Sequence, residues 1–400
     1  VLIALESLEV EVPDPARVQV TKAADLRFGD FQSNIAMMLA KGLGKNPREF
    51  AEDLSGRIAA EDLCEISIAG PGFLNFTLKA EAWADLARAQ WESDDLSVSQ
   101  VKAPQTIVVD FSAPNVAKPM HVGHIRSTII GECLSRVATK IGHKVIKDNH
   151  IGDWGTQFGM VTWAWKKGVD EERLETEPLQ ELLRLYRTAS DASKDDEGTK
   201  EACRAELVKL QQGDPENKAI WERCLALSRK GLNQIYDRLD VSFDHWMGES
   251  AYNDALAPLV EQLIADDLAR ESDGAICIFS NEAGKPKHDP FKINRDGEWQ
   301  DFPMMIRKSD GAFNYATTDI ATVQHRVKEW NADHIWYVVD FRQGGHFSQL
   351  FDTSKRLGYE EVNLVHVAFG TILGKDGKPL KTRAGDLPQL EDVLNDAVKA

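Results

Sequence analysis

Residues 110–124, DFSAPNVAKPMHVGH, decide the fold of this 400-residue chain. They begin at the end of a short apolar run, residues 106–111, which predicts a buried strand and has a proline on either side. Apolar residues at helical spacing begin near Met120 and end before Gly142, and a second strand is predicted at 143–146. In such a β-α-β start of an open α/β sheet, ligands bind at the junction between the first strand and the helix.

Two histidines and a glycine lie at that junction. Gly123 would let a ligand approach the backbone, while His121 and His124 would donate hydrogen bonds beside the positive end of the helix dipole. Taken alone, the H-x-x-H spacing favours half of a metal site or two unrelated surface histidines. The preceding strand and the polar residues upstream favour a site for a nucleoside triphosphate instead; those residues are Ser112, Asn115 and Lys118.

Two longer motifs around this junction resemble those of a known family. PNVAKPMHVGHIRSTIIGE at 114–132 and NHIGDWGTQFGM at 149–160 closely resemble the signature of bacterial-type class I arginyl-tRNA synthetases. His121 to His124 stand where that family carries the HIGH element that binds ATP. The resemblance covers nearly the whole chain. It implies an α/β fold, a Rossmann-like doubly wound parallel sheet of the HIGH superfamily, with a small N-terminal α/β domain.

Composition limits the classes of function. The formal net charge of −17 argues against a protein that binds nucleic acid over its whole surface, although a local basic face is compatible with it. Five cysteines without a C-x-x-C pair argue against a disulfide framework and a cysteine zinc site. No apolar run reaches the ~18 residues of a membrane helix. We therefore expect a cytoplasmic protein, monomeric, without a resident metal or a membrane partner.

The resemblance divides the chain into three regions. Residues 1–91 are similar to the N-terminal additional domain that the family places against the tRNA elbow. Residues 101–385 correspond to the catalytic domain, with an insertion around 252–311, and 386–400 to the start of the helical anticodon-binding domain. Because the chain begins with Val1 and ends in an apparently helical segment, we expect a fragment at both ends.

The first region contains two motifs, FGDFQSN at 28–34 and AGPGFLNF at 69–76. As residues alone, both fit turn and helix-cap chemistry. The resemblance makes Phe31, Gln32 and Asn34 candidates for contact with tRNA. A helix near residues 83–91 closes the region, and its tryptophans are expected in the core.

The second half of the nucleotide fold is predicted after residue 311. Strands at 313–316, 334–339 and 363–369 alternate with helices at 319–330 and 347–357, as in a doubly wound parallel sheet. Polar residues near the carboxyl ends of these strands are candidate ligands. They are Asn314, Tyr315, Thr318, Asp319, Asp340 and Gln343.

Two carboxylates are predicted to converge from the two halves of this sheet. Asp110 and Asp319 both follow predicted strands, and paired carboxylates suit a planar cation, because a guanidinium presents five donors. Matched on YATTDI and DFRQ, the residues similar to the family's arginine-binding set are Asp110, Asn115, Tyr315, Asp319 and Gln343.

Some roles in this set stay open. Asn115 and Gln343 would hold the ammonium, carboxylate or guanidinium group of arginine. Other family members carry Glu at the position of Asp110, so contact through water is an alternative to direct contact. The loop at 152–155 lines the family's active site, although Asp153 alone fits a simple helix N-cap. It adds the candidates His150, Asp153 and Gln157.

The basic segment GKDGKPLKTRAG at 374–385 fits either a lid for phosphates or a solvated turn. Lys378-Pro379-Leu380-Lys381-Thr382 resembles the KMSKS element, with Met-Ser replaced by Pro-Leu. This resemblance implies that Lys378 and Lys381 bind ATP and that Lys381 acts at the transition state. Lys118 and Arg383 would share that role.

The resemblance implies a two-step ligation of L-arginine to tRNA(Arg). ATP, with Mg²⁺, would first form arginyl-adenylate, and the arginyl group would then pass to the terminal ribose of the tRNA. The implied catalytic residues are His121, His124, Lys118 and Lys381, and Gly123 and Lys378 would complete the ATP site. One alternative is another class I synthetase or a nucleotidyltransferase. A second is a non-catalytic RNA-binding relative.

Overall fold

The computed structural model describes residues 1–10, 12, 14, 17–94, 96–281, 286–371 and 389–399. The chain divides into two compact units, Val1–Ser99 and Gln100–Ala400. Within the described ranges, no helix is long and apolar enough to cross a bilayer.

The smaller unit combines an antiparallel sheet with short helices. Its described strands are β1 (Thr21–Lys22), β2 (Phe31–Ser33), β3 (Cys64–Ala69) and β4 (Phe73–Leu78), paired in the order β1-β2-β4-β3. Its helices are α1 (Leu2–Ser7), α2 (Ile35–Ala40), α3 (Pro47–Ser55) and α4 (Ala80–Glu92). The Asn46 side chain starts α3 by accepting hydrogen bonds from the Arg48 and Glu49 amides.

Helix α4 exposes its large apolar side chains, so the expectation that its tryptophans lie in the core is wrong. Trp83 is about half exposed and Trp91 is 88% exposed. The core of this unit is filled by side chains from α2, α3 and the strands instead, among them Ile35, Phe50, Leu54 and Leu74.

The larger unit holds the remaining elements. Its strands are β5 (Thr106–Asp110), β6 (Lys144–Asp148), β7 (Ala269–Ser272), β8 (Ala275–Ile278), β9 (Lys292–Arg295), β10 (Glu298–Asp301), β11 (Met304–Arg307), β12 (His334–Asp340) and β13 (Asn363–Phe369). Its helices are α5 (His124–Lys140), α6 (Thr156–Gly168), α7 (Glu171–Thr176), α8 (Pro178–Ala192), α9 (Glu197–Gln211), α10 (Pro215–Leu239), α11 (Asn253–Ala265), α12 (Tyr315–Lys328), α13 (Gly344–Arg356) and α14 (Leu390–Lys399).

The central sheet of this unit is parallel, as predicted. Its described strands pair in the order β13-β12-β5-β6, and every pairing between neighbours is parallel. The chain therefore runs outward in one direction from β5 and in the other from β12. Between these two strands lies the switch point at which open α/β sheets bind ligands.

The two faces of the sheet pack against different helices. Val108, Ile335 and Tyr337 belong to a core shared with α11, α12 and α13. Ile107 and Val109, which alternate with Val108 along β5, belong to a core shared with α5 and α10. A third core joins α6, α8, α9 and α10. Both faces of the sheet are thus covered, which leaves the carboxyl ends of the strands as the place for a site.

Several predicted boundaries differ from the structure. The strand expected at 313–316 is wrong, because α12 already begins at Tyr315, where the Asn314 side chain caps the helix by accepting from the Tyr315 amide. Asp319 therefore lies in a helix and does not follow a strand. Helix α5 begins at His124, later than Met120. The polar segment 281–300 includes the strands of a β9-β10 hairpin.

Candidate functional site

The loop after β5 has an unusual backbone. Ser112 (φ 70°), Ala113 (φ 46°) and Ala117 (φ 63°) all adopt left-handed conformations without being glycine. Each such residue costs of order 1–3 kcal/mol and persists only when its surroundings enforce it. A concentration of strained residues between a strand and the two histidines indicates a functional loop.

Side chains from other elements hold this loop by binding its amides. The Ser112 amide donates to Ser127 Oγ (2.8 Å), and the Ala113 amide donates to Asn149 Oδ1 (3.1 Å). The Tyr236 hydroxyl from α10 lies 2.6 Å from Ser112 Oγ and also accepts from Asn149 Nδ2 (3.1 Å). These buried hydrogen bonds offset the strain of the left-handed residues.

The rings of the two histidines lie next to each other at the end of the loop, with their planes tilted by 30°. Their ring centroids are 3.9 Å apart. The Gly123 amide donates to His121 Nδ1 (3.1 Å), and the His121 amide donates to His124 Nδ1 (3.1 Å). An Nε2–H tautomer of each ring fits these contacts and leaves Nε2 free to donate to a ligand, although His124 Nδ1 also lies 3.3 Å from the His121 carbonyl oxygen. A Cβ on Gly123 would lie 2.8 Å from the His121 ring, so glycine makes room for that imidazole.

Both imidazoles are uncharged at neutral pH. Burial lowers the pKa of His121. Burial, together with the neighbouring His121, lowers the pKa of His124 to about 3. The pair therefore offers a ligand two neutral hydrogen-bond donors and no positive charge.

A cavity of about 250 Å³ opens beside the histidines at the carboxyl ends of β5, β12 and β13. Two guanidinium groups contribute positive charge to its lining. Arg126 donates to the Gly370 carbonyl, and Arg342 is paired with Asp340 (Nε to Oδ1, 2.7 Å). Further lining residues are Ser112, His121, Gly123, His124, Gln343 and Phe369. A cavity with neutral donors and cations at a helix N-terminus suits phosphate oxygens.

A second cavity of about 520 Å³ also borders the loop; its lining holds one carboxyl group, Glu249, and one ammonium group, Lys308. We call it the acidic cavity after Glu249 and the neighbouring Asp319. Asn115 and Tyr315 line it, as does Glu249, which sequence analysis did not single out. Burial, with the nearby charges of Asp153 and Asp319, raises the pKa of Glu249 to about 7. Other lining residues are Trp154, Gln157, Asn314 and Thr318. A buried carboxyl that resists ionisation would gain from a cationic ligand.

Asp319 lies on the first turns of α12, beside this acidic cavity. His346 Nε2 is 2.6 Å from Asp319 Oδ2, and the rings of Tyr315 and His346 meet edge to face at 4.9 Å. The contact with His346 fixes one carboxylate oxygen of Asp319. Tyr315 is 60% exposed and remains accessible.

The five residues expected to bind arginine do not all line one cavity. Asn115 and Tyr315 line the acidic cavity, with Asp319 beside it, whereas Gln343 lines the histidine cavity. Asp110 is buried, and its Oδ2 accepts a hydrogen bond from Arg326 Nη2 (2.7 Å). The structure therefore does not bring Asp110 and Asp319 to one cavity, and the side chain of Arg326 already pairs with Asp110.

Two family descriptions cover most of the chain. Residues 89–400 match the family described as tRNA synthetases class I (R), catalytic domain, and residues 2–78 match the Arginyl tRNA synthetase N terminal domain. The chain belongs to the arginyl-tRNA synthetase family. This confirms the resemblance drawn from the motifs and decides against another class I synthetase or an unrelated nucleotidyltransferase.

Curated arginyl-tRNA synthetases are similar over almost all of this chain. An arginine–tRNA ligase of Rhodopirellula baltica is 39% identical over 481 residues, which cover 99% of this chain and 69% of the relative. One of Picosynechococcus is 44% identical over 384 residues, covering 95% of this chain and 64% of the relative. The chain thus spans about two thirds of the length of these relatives.

Solved arginyl-tRNA synthetases share the fold. The Plasmodium falciparum enzyme aligns with a TM-score of 0.73 at 26% identity, covering all of this chain and 66% of that structure. The Thermus thermophilus structure has a TM-score of 0.71 at 20% identity, covering 99% of this chain and 68% of its own. These matches confirm the α/β fold with its doubly wound parallel sheet.

Of the four cations expected from the synthetase motifs, only Lys118 lies within the described residues. Lys378, Lys381 and Arg383 lie outside the described residues. Lys118 lies before the histidines, and its Nζ is 4.0 Å from the centroid of the Tyr186 ring on α8, a cation–π contact. Lys118 is thus held by an aromatic ring and does not line the histidine cavity.

The loop at 152–155 lines the acidic cavity through Trp154 and Gly155, whereas the side chains of Asp153 and His150 contact other segments. The Asp153 carboxylate accepts from the amide and the hydroxyl of Ser250 (2.8 and 2.6 Å), so its expected role as an N-cap of α6 is wrong. His150 Nδ1 lies 2.9 Å from the Met247 carbonyl oxygen. Gln157 lines the acidic cavity and donates to the Gly152 carbonyl (3.1 Å).

The residues suggested for tRNA contact belong to the smaller unit. Phe31 and Gln32 are half-buried in β2, and the Phe31 ring packs against the core of that unit. Asn34 precedes α2 and is exposed.

Proposed function

We propose that this chain ligates L-arginine to tRNA(Arg), first forming arginyl-adenylate from ATP and then transferring the arginyl group to the terminal ribose. One observation carries the proposal. The strained loop after β5 lines both a cavity with paired histidines, through Ser112 and Ala113, and the acidic cavity, through Asn115. An enzyme that joins a nucleotide to a cationic amino acid needs this combination.

ATP would bind in the histidine cavity. The Nε2–H groups of His121 and His124 would donate to phosphate oxygens, while Arg126 and Arg342 would neutralise their charge. Gly123 lines the same cavity. Mg²⁺ would arrive with the triphosphate as part of the substrate. Among the described residues, no cluster of His, Cys, Asp or Glu has the makings of a metal site.

Arginine would bind in the acidic cavity. Its guanidinium would contact Glu249, Asp319 and the Tyr315 hydroxyl, since two carboxylates and a phenol match the donors of that group. Asn115 lines the same cavity, and Gln343 lines the neighbouring one, where the substrate carboxylate must meet the α-phosphate. Gln343 is therefore assigned to the backbone end of arginine. Asp110 is assigned a supporting role behind the site.

Adenylation then requires positioning and charge stabilisation. The arginine carboxylate attacks the α-phosphorus, the bond to the bridging oxygen breaks, and pyrophosphate leaves with the developing negative charge. His121 and His124 would stabilise that charge as preorganised neutral donors. Lys118, Lys378, Lys381 and Arg383 are proposed as the cations that assist, with Lys118 moving away from Tyr186 to do so.

We further propose roles for the remaining parts of the chain. Residues 1–91, with Gln32 and Asn34, and with Phe31 through its accessible edge, would contact the tRNA. Residues 101–385 would form the catalytic domain, with the insertion around 252–311. The five cysteines are free thiols, which fits a reducing cytoplasm, and we propose that the chain acts there as a monomer.

Pyrophosphate exchange into ATP tests the proposed function. We expect exchange with arginine, stimulated by tRNA, and no exchange with the other nineteen amino acids, because lysine or citrulline would leave buried carboxylates underpaired. The assay uses the full chain with and without total tRNA. Exchange with a different amino acid would refute the assignment of the acidic cavity. Binding of tRNA without any exchange would instead support a non-catalytic RNA-binding protein.

Glu249 predicts a pH dependence of arginine binding. Because burial raises its pKa to about 7, most molecules carry a neutral Glu249 at pH 6 and an ionised one at pH 8. A guanidinium favours the ionised form, so the affinity for arginine should rise about tenfold across that range. Isothermal titration calorimetry measures it directly. The Glu249→Gln variant should bind more weakly and lose this slope; an unchanged slope in that variant would assign the titration to another group.

A further inference from the structure

Among the described residues, the proposed reaction leaves unused a buried cluster of charges around Arg326. Arg326 lies near the end of α12 and is 0% exposed. Its Nη2 donates to Asp110 Oδ2 (2.7 Å) and to Asp148 Oδ2 (2.8 Å), at the last residues of β5 and β6. Although burial opposes its charge, the two carboxylates hold the pKa of Arg326 well above its usual value.

We propose that Arg326 is a positioning residue that aligns the walls of the arginine cavity; this inference rests on the proposed function. Positions 315, 319, 322 and 326 recur at helical spacing along one face of α12. Arg326 therefore anchors the far end of the same face that presents Tyr315 and Asp319 to the ligand. Through this anchor, the axial rotation of α12 is tied to the ends of β5 and β6.

The same cluster reaches the other walls of the cavity. Asp110 ends β5, and the strained loop that carries Asn115 follows directly. Asp148 Oδ1 accepts a hydrogen bond from the Met247 amide (3.4 Å), two residues before Glu249. The three elements that bring Asn115, Glu249 and Tyr315 together thus all contact one guanidinium or its carboxylate partners.

Stability alone is a weak explanation for such a cluster. Buried ion pairs lose hydration, and well-packed apolar side chains of similar volume often stabilise a fold equally well. The triad does, however, tie three elements to one atom, because Arg326 Nη2 alone donates to both Asp110 and Asp148. Directional control is useful where residues from α12, β5 and the segment before α11 must meet one small ligand.

The histidine cavity provides an internal comparison. It is lined from the loop after β5, from α5, and from the ends of β12 and β13 with the segments that follow them. The loop after β5 borders both cavities, but Glu249 and the α12 residues Tyr315 and Thr318 line only the other one. Loss of the Arg326 anchor should therefore weaken arginine binding and leave ATP binding nearly intact. A cluster with a merely structural role would weaken both ligands together.

The test compares two variants with a matched control in the full chain. Asp148→Asn removes one carboxylate that is 0% exposed and lines neither cavity. Arg326→Lys keeps the charge on a shorter side chain without the planar guanidinium, and it serves if Asp148→Asn fails to fold. Glu181→Gln, on α8, is the control, because Glu181 is equally buried, is paired with Arg184 and lines neither cavity.

Calorimetry would measure the Kd for arginine and for ATP, and thermal melting would report folding. We expect Asp148→Asn to raise the Kd for arginine at least tenfold and the Kd for ATP less than threefold. The Kd for arginine should rise less in Arg326→Lys and should not change in Glu181→Gln. An arginine Kd within threefold of the original chain, or an equal loss for both ligands, would overturn the positioning role. If the unmodified chain binds ATP and no arginine, the proposed function itself fails, and this inference fails with it.

Discussion

Asp319→Asn is expected to weaken arginine binding at least 100-fold while changing ATP binding less than threefold. The carboxylate of Asp319 is oriented by His346 Nε2 at 2.6 Å and lies beside the cavity that Asn115, Glu249 and Tyr315 line. Charge-assisted hydrogen bonds to a guanidinium contribute about 1.5–3 kcal/mol each, and an amide in place of the carboxylate removes the charge and one acceptor. The expected loss corresponds to about one or two such bonds.

Titration calorimetry with each ligand separately provides the measurement. Asp266→Asn makes the same chemical change at an exposed site on the C-terminal end of α11 and should alter neither Kd. Adding Tyr315→Phe to Asp319→Asn should weaken arginine binding further. Equal loss of arginine and ATP affinity would show that Asp319 supports the fold of the site as a whole and has no part in recognising arginine.

His124→Ala is expected to lower the rate of pyrophosphate exchange by about 10²–10³-fold, the usual effect of losing one preorganised donor. The His124 imidazole lies 3.9 Å from that of His121 and accepts the His121 amide through Nδ1, so its removal also loosens the neighbouring donor. Since burial and the nearby His121 lower the pKa of His124 to about 3, the original chain should show no titration of this group between pH 6 and 8.

Exchange rates at saturating arginine and tRNA, measured at several pH values, check both parts of this expectation. His124→Asn keeps an uncharged donor and should retain more activity than His124→Ala. His288→Ala, at an exposed position remote from both cavities, is the control. If the exchange rate of the original chain rises as the pH falls through 6.5, and that of His124→Asn does not, His124 acts as a cation.

Prediction from sequence was most accurate where local pattern and tertiary role agree. The strand β13 was expected at 363–369 and has those bounds, because an apolar run between polar turns has one favourable use in a parallel sheet. The start of α12 was missed because Phe313 and Tyr315 favour a strand, whereas the Asn314 side chain caps a helix there. The capping hydrogen bond of Asn314 thus outweighs the strand propensity of these residues.

The site was predictable in its motifs and not in its supporting groups. His121 and His124 stand within the long motif at 114–132 that can be recognised, and both line a cavity. Glu249 and Arg326 carry no such pattern, since each acquires its role from residues far away in the chain. Asp110, at the end of β5, was expected to contact arginine directly or through water, and this remains a prediction; nothing in the sequence indicated that Arg326 binds one of its carboxylate oxygens.

The order of strands in the central sheet has a consequence for how the chain is made. The Thr106 amide at the start of β5 donates to Asp333, 227 residues later, just before β12. At roughly 5–20 residues per second, a ribosome takes roughly 10–45 s to add that length. During this interval the apolar edge of β5 has no β12 to pair with, and pairing over such a separation is slow. The nascent chain therefore offers chaperones a long window, and the speed of synthesis through helices α6 to α11 should govern the yield of folded protein.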